Sequence, residues 1–198
     1  MTRIVAGDAG GRRLVVPKGD LTRPTSDRVR EGLFNALDAR GLIPGAIVLD
    51  LYCGSGALGL EAASRGAASV VMVDASRQAV DAARQNVGAL GFPRVAVVLS
   101  TVQRYLARRA SQASSLVFID PPYMMGQDEV TEMLTALTER GWLQSSATIL
   151  VERSSRSLEP QWPAGLIRQT VRRYGETSIW QAEWTSGSPV SGPVTSAP

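Results

Sequence analysis

Short apolar runs alternate along the middle of the chain with longer segments whose apolar positions recur every three or four residues. The short runs are typical of buried strands, and the longer spacing is typical of amphipathic helices. The pattern predicts strand Ala46–Leu51, helix Ala57–Arg65, strand Ser69–Val73, helix Arg77–Leu90, strand Val95–Leu99, helix Val102–Arg109 and strand Leu116–Ile119. Because repeated strand–helix units require crossover connections, we expect an α/β fold with a mostly parallel sheet and helices on both faces.

The same reading extends to both ends of the chain. Residues 27–37 predict an amphipathic helix that Thr25 or Ser26 could cap, and residues 3–17 predict a hairpin around a glycine-rich turn. After the last crossover we predict helix Asp128–Gly141, strand Ala147–Glu152 and a hairpin of Leu166–Arg173 with Thr177–Trp184. The expected organisation is therefore a basic arm (residues 1–22), one domain (23–184) and a disordered Pro/Ser/Gly tail (185–198).

The composition limits the class of protein. A chain of 198 residues with 44% apolar and 20% charged residues is expected to form one globular domain. No apolar run is long enough to span a bilayer and no secretory leader is recognisable, so we expect a soluble, cytoplasmic protein, and a monomer. One cysteine and no histidine exclude an intrachain disulfide, a Cys-rich metal site and imidazole catalysis, so no metal is expected.

The net charge of +3 is concentrated in the N-terminal part of the chain. Residues 1–31 contain seven basic and four acidic residues, whereas the remainder has 14 of each sign. All but one of the 21 cations are arginine, which binds phosphate and stacks on bases, so a nucleic-acid partner is plausible, although a basic end can also be merely solvated. The candidate RNA contacts are Arg3, Arg12, Arg13, Arg23 and Arg30.

A strand, a glycine-rich turn and a helix follow one another around Asp50. The spacing of Gly54, Gly56 and Gly59, with Asp74 twenty residues after the first glycine, would fit NAD. A carboxylate at Asp50, however, would repel a pyrophosphate but suits a ligand with an ammonium and a sulfonium, which favours S-adenosylmethionine. The predicted cofactor residues here are Asp50, Tyr52, Gly54, Ser55, Gly56, Gly59, Asp74 and Thr101.

Four polar residues directly follow the apolar runs: Asp50, Asp74, Ser100 and Asp120. A single one of them would most simply be a helix cap or a turn residue. Because the carboxyl ends of parallel strands meet at one edge of a sheet, however, the four together predict one site at that edge.

The sequence Asp120-Pro121-Pro122-Tyr123 follows the last of these strands. Two consecutive prolines stiffen a turn and remove two backbone donors, which leaves a loop of hydrogen-bond acceptors. If the Asp120 carboxylate and the Pro121 carbonyl accept both hydrogens of a planar exocyclic amine, the nitrogen lone pair can point at a methyl donor, while Tyr123 stacks on the ring. These four residues are therefore the predicted catalytic loop.

Several segments together resemble the RsmD family, bacterial methyltransferases that modify a guanine of small-subunit ribosomal RNA on its exocyclic N2. They are Arg3-Ile-Val-Ala-Gly, Gly11-Arg-Arg-Leu, Arg23-Pro-Thr-Ser-Asp-Arg-Val-Arg-Glu-Gly-Leu-Phe-Asn, the glycine loop, Asp120-Pro-Pro-Tyr and Tyr174-Gly-Glu-Thr. The resemblance implies a seven-stranded class I methyltransferase sheet, S-adenosylmethionine as donor, and the assembled or assembling small subunit as substrate. It also places Thr25, Arg28 and Phe34 near the cofactor or the target.

Ser100-Thr101 departs from the acidic residue that related enzymes often have for the adenine amine. Three other functions stay open from the sequence. They are an amino methyltransferase for adenine, cytosine or a protein glutamine, an NAD-dependent oxidoreductase, and a catalytically silent RNA-binding module.

Overall fold

The structure is a computed structural model that describes residues 2–17 and 27–185. Its helices are α1 (Asp27–Asp38), α2 (Ala57–Ser64), α3 (Arg77–Leu90), α4 (Val102–Leu106) and α5 (Gln127–Glu139). Its strands are β1 (Ile47–Leu51), β2 (Ser69–Asp74), β3 (Val95–Leu99), β4 (Ser114–Ile119), β5 (Leu143–Ser154), β6 (Leu166–Tyr174) and β7 (Thr177–Trp184). The predicted tail lies outside the described residues, apart from Thr185.

The strands form one seven-stranded sheet in the order β3-β2-β1-β4-β5-β7-β6. Strands β1 to β5 pair in parallel, and β7 is antiparallel to both of its neighbours, β5 and β6. The order of the strands reverses between β1 and β4: from β1 the chain moves outward through β2 to β3 on one side, and then returns to add β4 on the other side of β1. In open parallel sheets, ligands bind in the crevice that such a reversal leaves at the carboxyl ends of the strands.

Alternating side chains of the strands build two cores. On one face Val48, Met72 and Phe118 pack with α1, α2, α3 and the N-terminal arm. On the other face Leu49 and Val117 pack with α4 and α5. The sheet is therefore covered on both faces, as the continuous apolar runs predict.

Most predicted elements are confirmed, and the exceptions have tertiary causes. Helix α3 and strand β3 have the predicted bounds, but α4 ends at Leu106 instead of Arg109. Beyond it the backbone bonds to the end of α5: Ala110 N–H donates to the Arg140 carbonyl, and the Arg140 guanidinium donates to the Ala107 carbonyl. Contacts with a distant element thus replace the last helical turn. No helix in the part of the chain that the structure describes is long and apolar enough to cross a membrane.

The N-terminal arm (residues 2–17) forms a short hairpin, as predicted. Arg3 and Arg13 make an antiparallel bridge, and on either side of it the Ile4 N–H donates to the Arg12 carbonyl and the Leu14 N–H to the Thr2 carbonyl, both at 2.9 Å. Other N–H groups of the arm bond to helix side chains. Val5 and Ala6 N–H groups donate to the Glu61 carboxylate at 2.6 and 3.1 Å, and the Ala9 N–H donates to the Ser64 hydroxyl at 2.9 Å. The arm is thus fastened to α2.

We expect Glu61→Gln to loosen this arm and destabilise the protein. Glu61 is fully buried and also accepts from Arg65 Nε at 2.7 Å. In the glutamine variant, the NH₂ group would face an N–H donor that the carboxylate oxygen now accepts from. Losing one partner of a buried, hydrogen-bonded ion pair costs about 3 kcal/mol. Urea denaturation should show this loss, and limited trypsin digestion should cut faster at Arg12 and Arg13. The exposed Glu132→Gln is the matched control, and equal stability of the two variants would contradict the docking role of Glu61.

Candidate active site

Two turns lie side by side at the carboxyl edge of β1 and β4. The register pairs Leu51 with Ile119, so the residues that follow each strand are neighbours. The Asp120 N–H donates to the Leu51 carbonyl at 3.3 Å, which continues the pairing one residue beyond the ladder. The glycine loop and the Asp-Pro-Pro-Tyr loop therefore open on the same crevice.

Asp50 is buried below the glycine loop, with 1% of its surface exposed. Its Oδ2 accepts from the Gly59 N–H at 2.8 Å, whereas among the described residues its Oδ1 has no hydrogen-bond partner. Burial, reinforced by the charge of Asp74 and opposed by the Gly59 bond, raises the pKa of Asp50 to about 7. A buried acceptor with a free lone pair fits a ligand that brings a cation.

Glycine is required at Gly59 because neighbouring side chains fill the space that a Cβ atom would need. A Cβ there would lie 2.9 Å from Asp50 Oδ2 and 2.9 Å from Met72 side-chain atoms. The loop itself passes through left-handed backbone at Tyr52 (φ 63°), Gly54 (φ 55°) and Gly56 (φ 85°). A left-handed backbone costs energy at Tyr52, because it is not a glycine. The Tyr52 hydroxyl lies 3.8 Å from the Met125 sulfur of the second turn.

Among the described residues, the N-terminus of α2 has no cap from its N-cap residue, although the Gly59 N–H of its first turn is bonded to Asp50. Gly56 is its N-cap, and its first turn has no acidic residue. Unpaired N–H groups at a helix start attract an anion such as a carboxylate. Above Gly54 a Cβ would meet no atom of the described residues within 4 Å, so with respect to them the loop has open space on its outer side. Asp50 and this helix start could therefore hold the two ends of an amino-acid zwitterion.

Asp74 and Thr101 occupy the next two strand ends. Asp74 accepts from the Gly54 N–H at 2.9 Å and from the Ser76 N–H at 2.8 Å. Thr101 is exposed and caps α4 by accepting from the Arg104 N–H at 3.2 Å. The carboxylate of Asp74 thus shapes the glycine loop from outside, in the position where a ribose hydroxyl could also be bound.

Sequence reasoning missed Asn86, which fastens the glycine loop to the arm. Its Nδ2 donates to the Ser55 and Val15 carbonyls, both at 2.9 Å, and its Oδ1 accepts from the Val15 N–H at 2.8 Å. The signal was available, because this polar residue lies three positions after Ala83 in the buried stripe of α3.

The predicted catalytic loop (residues 120–123) is supported by the end of β5. The Tyr123 hydroxyl lies 3.1 Å from the Ser154 hydroxyl, and Arg153 Nη2 donates to the Met125 carbonyl at 2.9 Å. The Tyr123 side chain is nevertheless 74% exposed, so its ring is available to a ligand. The loop is thus held in place while its aromatic face stays open.

Asp120 is half-buried beside another carboxylate that the sequence analysis did not select, Glu152. Burial first, then the charges of Glu152 and Asp50, raise the pKa of Asp120 well above its usual range. Because the charge of Asp50 contributes to this rise, the two turns share one electrostatic environment. By contrast, burial raises the pKa of the Cys53 thiol, which keeps it protonated and unsuited to act as a nucleophile.

Two predicted site residues are corrected by their burial. Arg30 is 1% exposed and donates to the Arg3 carbonyl beneath the arm, so it is not an RNA-facing residue. Phe34 is fully buried against Phe118, with ring centroids 5.5 Å apart and the Arg65 guanidinium over its ring, so it supports the core and does not contact a cofactor directly.

The remaining predicted arginines and Thr25 are either exposed or undescribed. Arg3, Arg12 and Arg13 are exposed on the arm, although Arg12 also donates to the Ala89 carbonyl at 2.8 Å. Arg28 is exposed near the start of α1. Arg23 and Thr25 lie outside the described residues.

Comparison with known proteins gives the family. The model of the family described as conserved hypothetical protein 95 matches residues 2–183. Ribosomal RNA small subunit methyltransferase D of Escherichia coli (strain K12) is 40% identical over 183 residues, which cover 91% of this chain and 90% of that protein.

Solved structures agree on the fold. The structure of yhhF, a proposed methyltransferase from Escherichia coli, has a TM-score of 0.83 and 36% identity, and the match covers 93% of this chain and 98% of that chain. Magnesium protoporphyrin IX methyltransferase of Synechocystis PCC 6803, solved with bound SAM, has a TM-score of 0.63 at 17% identity over 80% of this chain and 79% of that one. The latter likeness shows the fold alone, and the expected class I methyltransferase fold is confirmed. Because the family model matches residues 2–183, the chain belongs to the conserved hypothetical protein 95 family, which is that of the RsmD methyltransferases.

Proposed function

We propose that this protein transfers a methyl group from S-adenosylmethionine to the exocyclic N2 amine of a guanine in small-subunit ribosomal RNA. The observation that carries the proposal is the adjacency of two turns on β1 and β4. One offers a buried acceptor for a cation, Asp50, and the other offers acceptors for an amine beside the exposed Tyr123 ring. The name of the Escherichia coli relative supports ribosomal RNA of the small subunit as the substrate.

The residues that would hold the cofactor are those whose partners suit it. The unpartnered Oδ1 of Asp50 suits an ammonium, the uncapped start of α2 suits a carboxylate, and Asp74 suits ribose hydroxyls. When bound, S-adenosylmethionine supplies a methyl group on a sulfonium, whose C–S bond breaks with the electron pair leaving on sulfur.

The catalytic loop orients the amine and removes its proton. The Asp120 carboxylate and the Pro121 carbonyl accept the two N–H hydrogens, which turns the nitrogen lone pair toward the methyl carbon. As the N–C bond forms, the nitrogen becomes acidic and loses one proton to Asp120 or to water. The raised pKa of Asp120 makes it a better acceptor of that proton than an ordinary aspartate. Tyr123 would stack on the guanine, held by Ser154.

A base inside a folded RNA can reach this loop only after it leaves its stack. The exposed arginines of the arm, Arg3, Arg12 and Arg13, would bind phosphates around the target base. Asn86 bonds to both the arm and the glycine loop, so it would couple RNA binding on the arm to the position of that loop. We propose that the monomer acts on the assembled or assembling small subunit.

Tritium transfer from labelled S-adenosylmethionine to small subunits from cells that lack the protein, followed by nucleoside analysis, tests this function. We expect the label in N2-methylguanosine. Label in methylated adenine or cytosine, or in protein, would replace the proposal with another amino methyltransferase. Calorimetry with NAD and S-adenosylmethionine is the companion measurement, and binding of NAD alone would point to an oxidoreductase.

A further inference from the structure

A groove of about 650 Å³ lies between α1 and the turn that joins β6 to β7. Its volume is within the range of sites that hold small organic ligands. Its lining includes Tyr174 and Gly175 of the segment Tyr174-Gly-Glu-Thr, which has no role in the proposed methyl transfer. Its lining among the described residues is Arg28, Val29, Glu31, Gly32, Asn35, Tyr174 and Gly175.

One row of paired residues in the sheet links the groove to the predicted catalytic loop. Ser154 of β5 pairs with Thr177 of β7, and Thr177 pairs with Tyr174 of β6. Directly paired residues project from the same face, so the row leads from Ser154, which contacts Tyr123, to Tyr174. At about 4.8 Å per strand, Tyr174 lies about 10 Å from Ser154.

The lining has the chemistry of a nucleotide site. Tyr174 is half-buried, and its ring is seated so closely on α1 that a Cβ at Gly32 would approach it to 3.3 Å. Arg28 is the exposed cation of the lining, which also holds the exposed Glu31. Arg172 lies outside the lining and is exposed on β6, two residues before Tyr174 and on the same face. Single-stranded RNA is bound by aromatic rings that stack on bases and by arginines that contact phosphates.

We propose that this groove holds a nucleotide next to the target guanine, with its base against Tyr174 and its phosphates toward Arg28 and Arg172. The inference rests on the proposed function and adds a second base-binding position to it. Val29 and Tyr174 are the main apolar side chains of the lining, so an apolar peptide would find little surface to bury. Arginines beside an aromatic ring complement a charged and stacked ligand instead.

The test compares Tyr174→Leu, which keeps an apolar side chain on Gly32, with Tyr174→Phe, which keeps the ring. Affinity for purified undermethylated small subunits is measured by fluorescence anisotropy of labelled protein with S-adenosylhomocysteine present, and KM and kcat are measured by tritium transfer. We expect Tyr174→Leu to bind about tenfold more weakly and to raise KM with little change in kcat, and Tyr174→Phe to restore binding. Equal affinity of Tyr174→Leu and the wild type, or equal losses in both variants, would overturn the proposal.

A pair of arginine variants tests the phosphate contact. Arg172→Ala should weaken subunit binding and reduce its salt dependence, whereas Arg109→Ala, at an exposed arginine after α4, should do neither. Identical salt dependence in both variants would contradict the contact. Because binding is measured without turnover, the two proposals are tested separately. The groove proposal can be overturned while the wild-type protein still makes N2-methylguanosine, and it can be supported while the methylated product is a different nucleoside. Cross-linking of Tyr174 to a ribosomal protein and not to RNA would assign the groove to a protein partner and overturn the inference.

Discussion

Asp120→Ala is expected to lower kcat for methyl transfer by at least about 100-fold, the usual loss when a preorganised catalytic hydrogen-bond partner is removed. The alanine can accept neither the N–H of the amine nor the proton that the reaction releases. Affinity for S-adenosylmethionine should change little, because the predicted cofactor contacts lie on the glycine loop and Asp74. Single-turnover tritium transfer measures the chemical step, and calorimetry measures the cofactor.

Asp120→Asn separates the two tasks of this carboxylate. Its amide carbonyl can still accept one hydrogen bond but cannot take a proton, so we expect activity between those of the wild type and Asp120→Ala. Asp128→Ala is the matched control, since Asp128 is an exposed carboxylate in the first turn of α5. Retained turnover in Asp120→Ala would show that the loop has been misread.

The same carboxylate predicts the acid side of the pH–rate profile. Only the ionised form of Asp120 accepts a hydrogen bond through both oxygens, and burial with the neighbouring Glu152 raises its pKa. Activity should therefore fall, as the pH is lowered, at a higher pH than an ordinary aspartate would give. The carboxylates interact, so the midpoint belongs to the group of Asp50, Asp120 and Glu152 and not to one residue.

Local pattern was sufficient to predict which edge of the sheet carries the candidate site. Strand–helix alternation orders β1 to β4, and parallel crossovers bring Asp50 and Asp120 to the same edge whatever the distant pairings are. The glycine spacing likewise predicts a turn that approaches a ligand, because left-handed backbone at Gly54 and Gly56 is a local requirement.

The errors arose where a polar residue shares an apolar stripe. Arg30 lies four residues before Phe34 and seven before Leu37, on one face of α1, so the helix turns it inward although its charge suggested RNA. Asn86 is buried for the same reason in α3. The helical periodicity indicates that both side chains point inward. Their hydrogen-bond partners, however, lie in the N-terminal arm, which is too far away in the sequence to be included in a local pattern.

The support of the catalytic loop was beyond sequence reasoning. Ser154, Arg153 and Glu152 reach the loop only because β5 pairs with β4, and Tyr174 reaches the same row only because β7 is inserted between β5 and β6. A hairpin pattern predicts that β6 and β7 pair with each other, but not which of the two joins the sheet.

Asp50→Asn is expected to weaken S-adenosylmethionine binding by at least about tenfold, because a charged hydrogen bond to an ammonium contributes about 1.5–3 kcal/mol. The asparagine can keep the Gly59 bond through its carbonyl oxygen, so the glycine loop should stay in place. Calorimetry at pH 8 measures the loss, and at a fixed cofactor concentration the thermal shift should be smaller in the variant than in the wild type.

The same substitution is expected to stabilise the ligand-free protein at pH 8. The folded pKa of Asp50 is about 7 against an ordinary value of 3.8, so the folded state holds a proton that the unfolded state releases. The wild-type free energy of unfolding should therefore fall as the pH rises from about 4 to about 7, by on the order of 4 kcal/mol at most from this residue. Asparagine removes that dependence, so urea titrations should show a flatter profile in the variant. A variant that is less stable than the wild type at pH 8 would show that Asp50 serves the fold and not the ligand, because a charge kept buried at a cost to stability is explained only by what it binds.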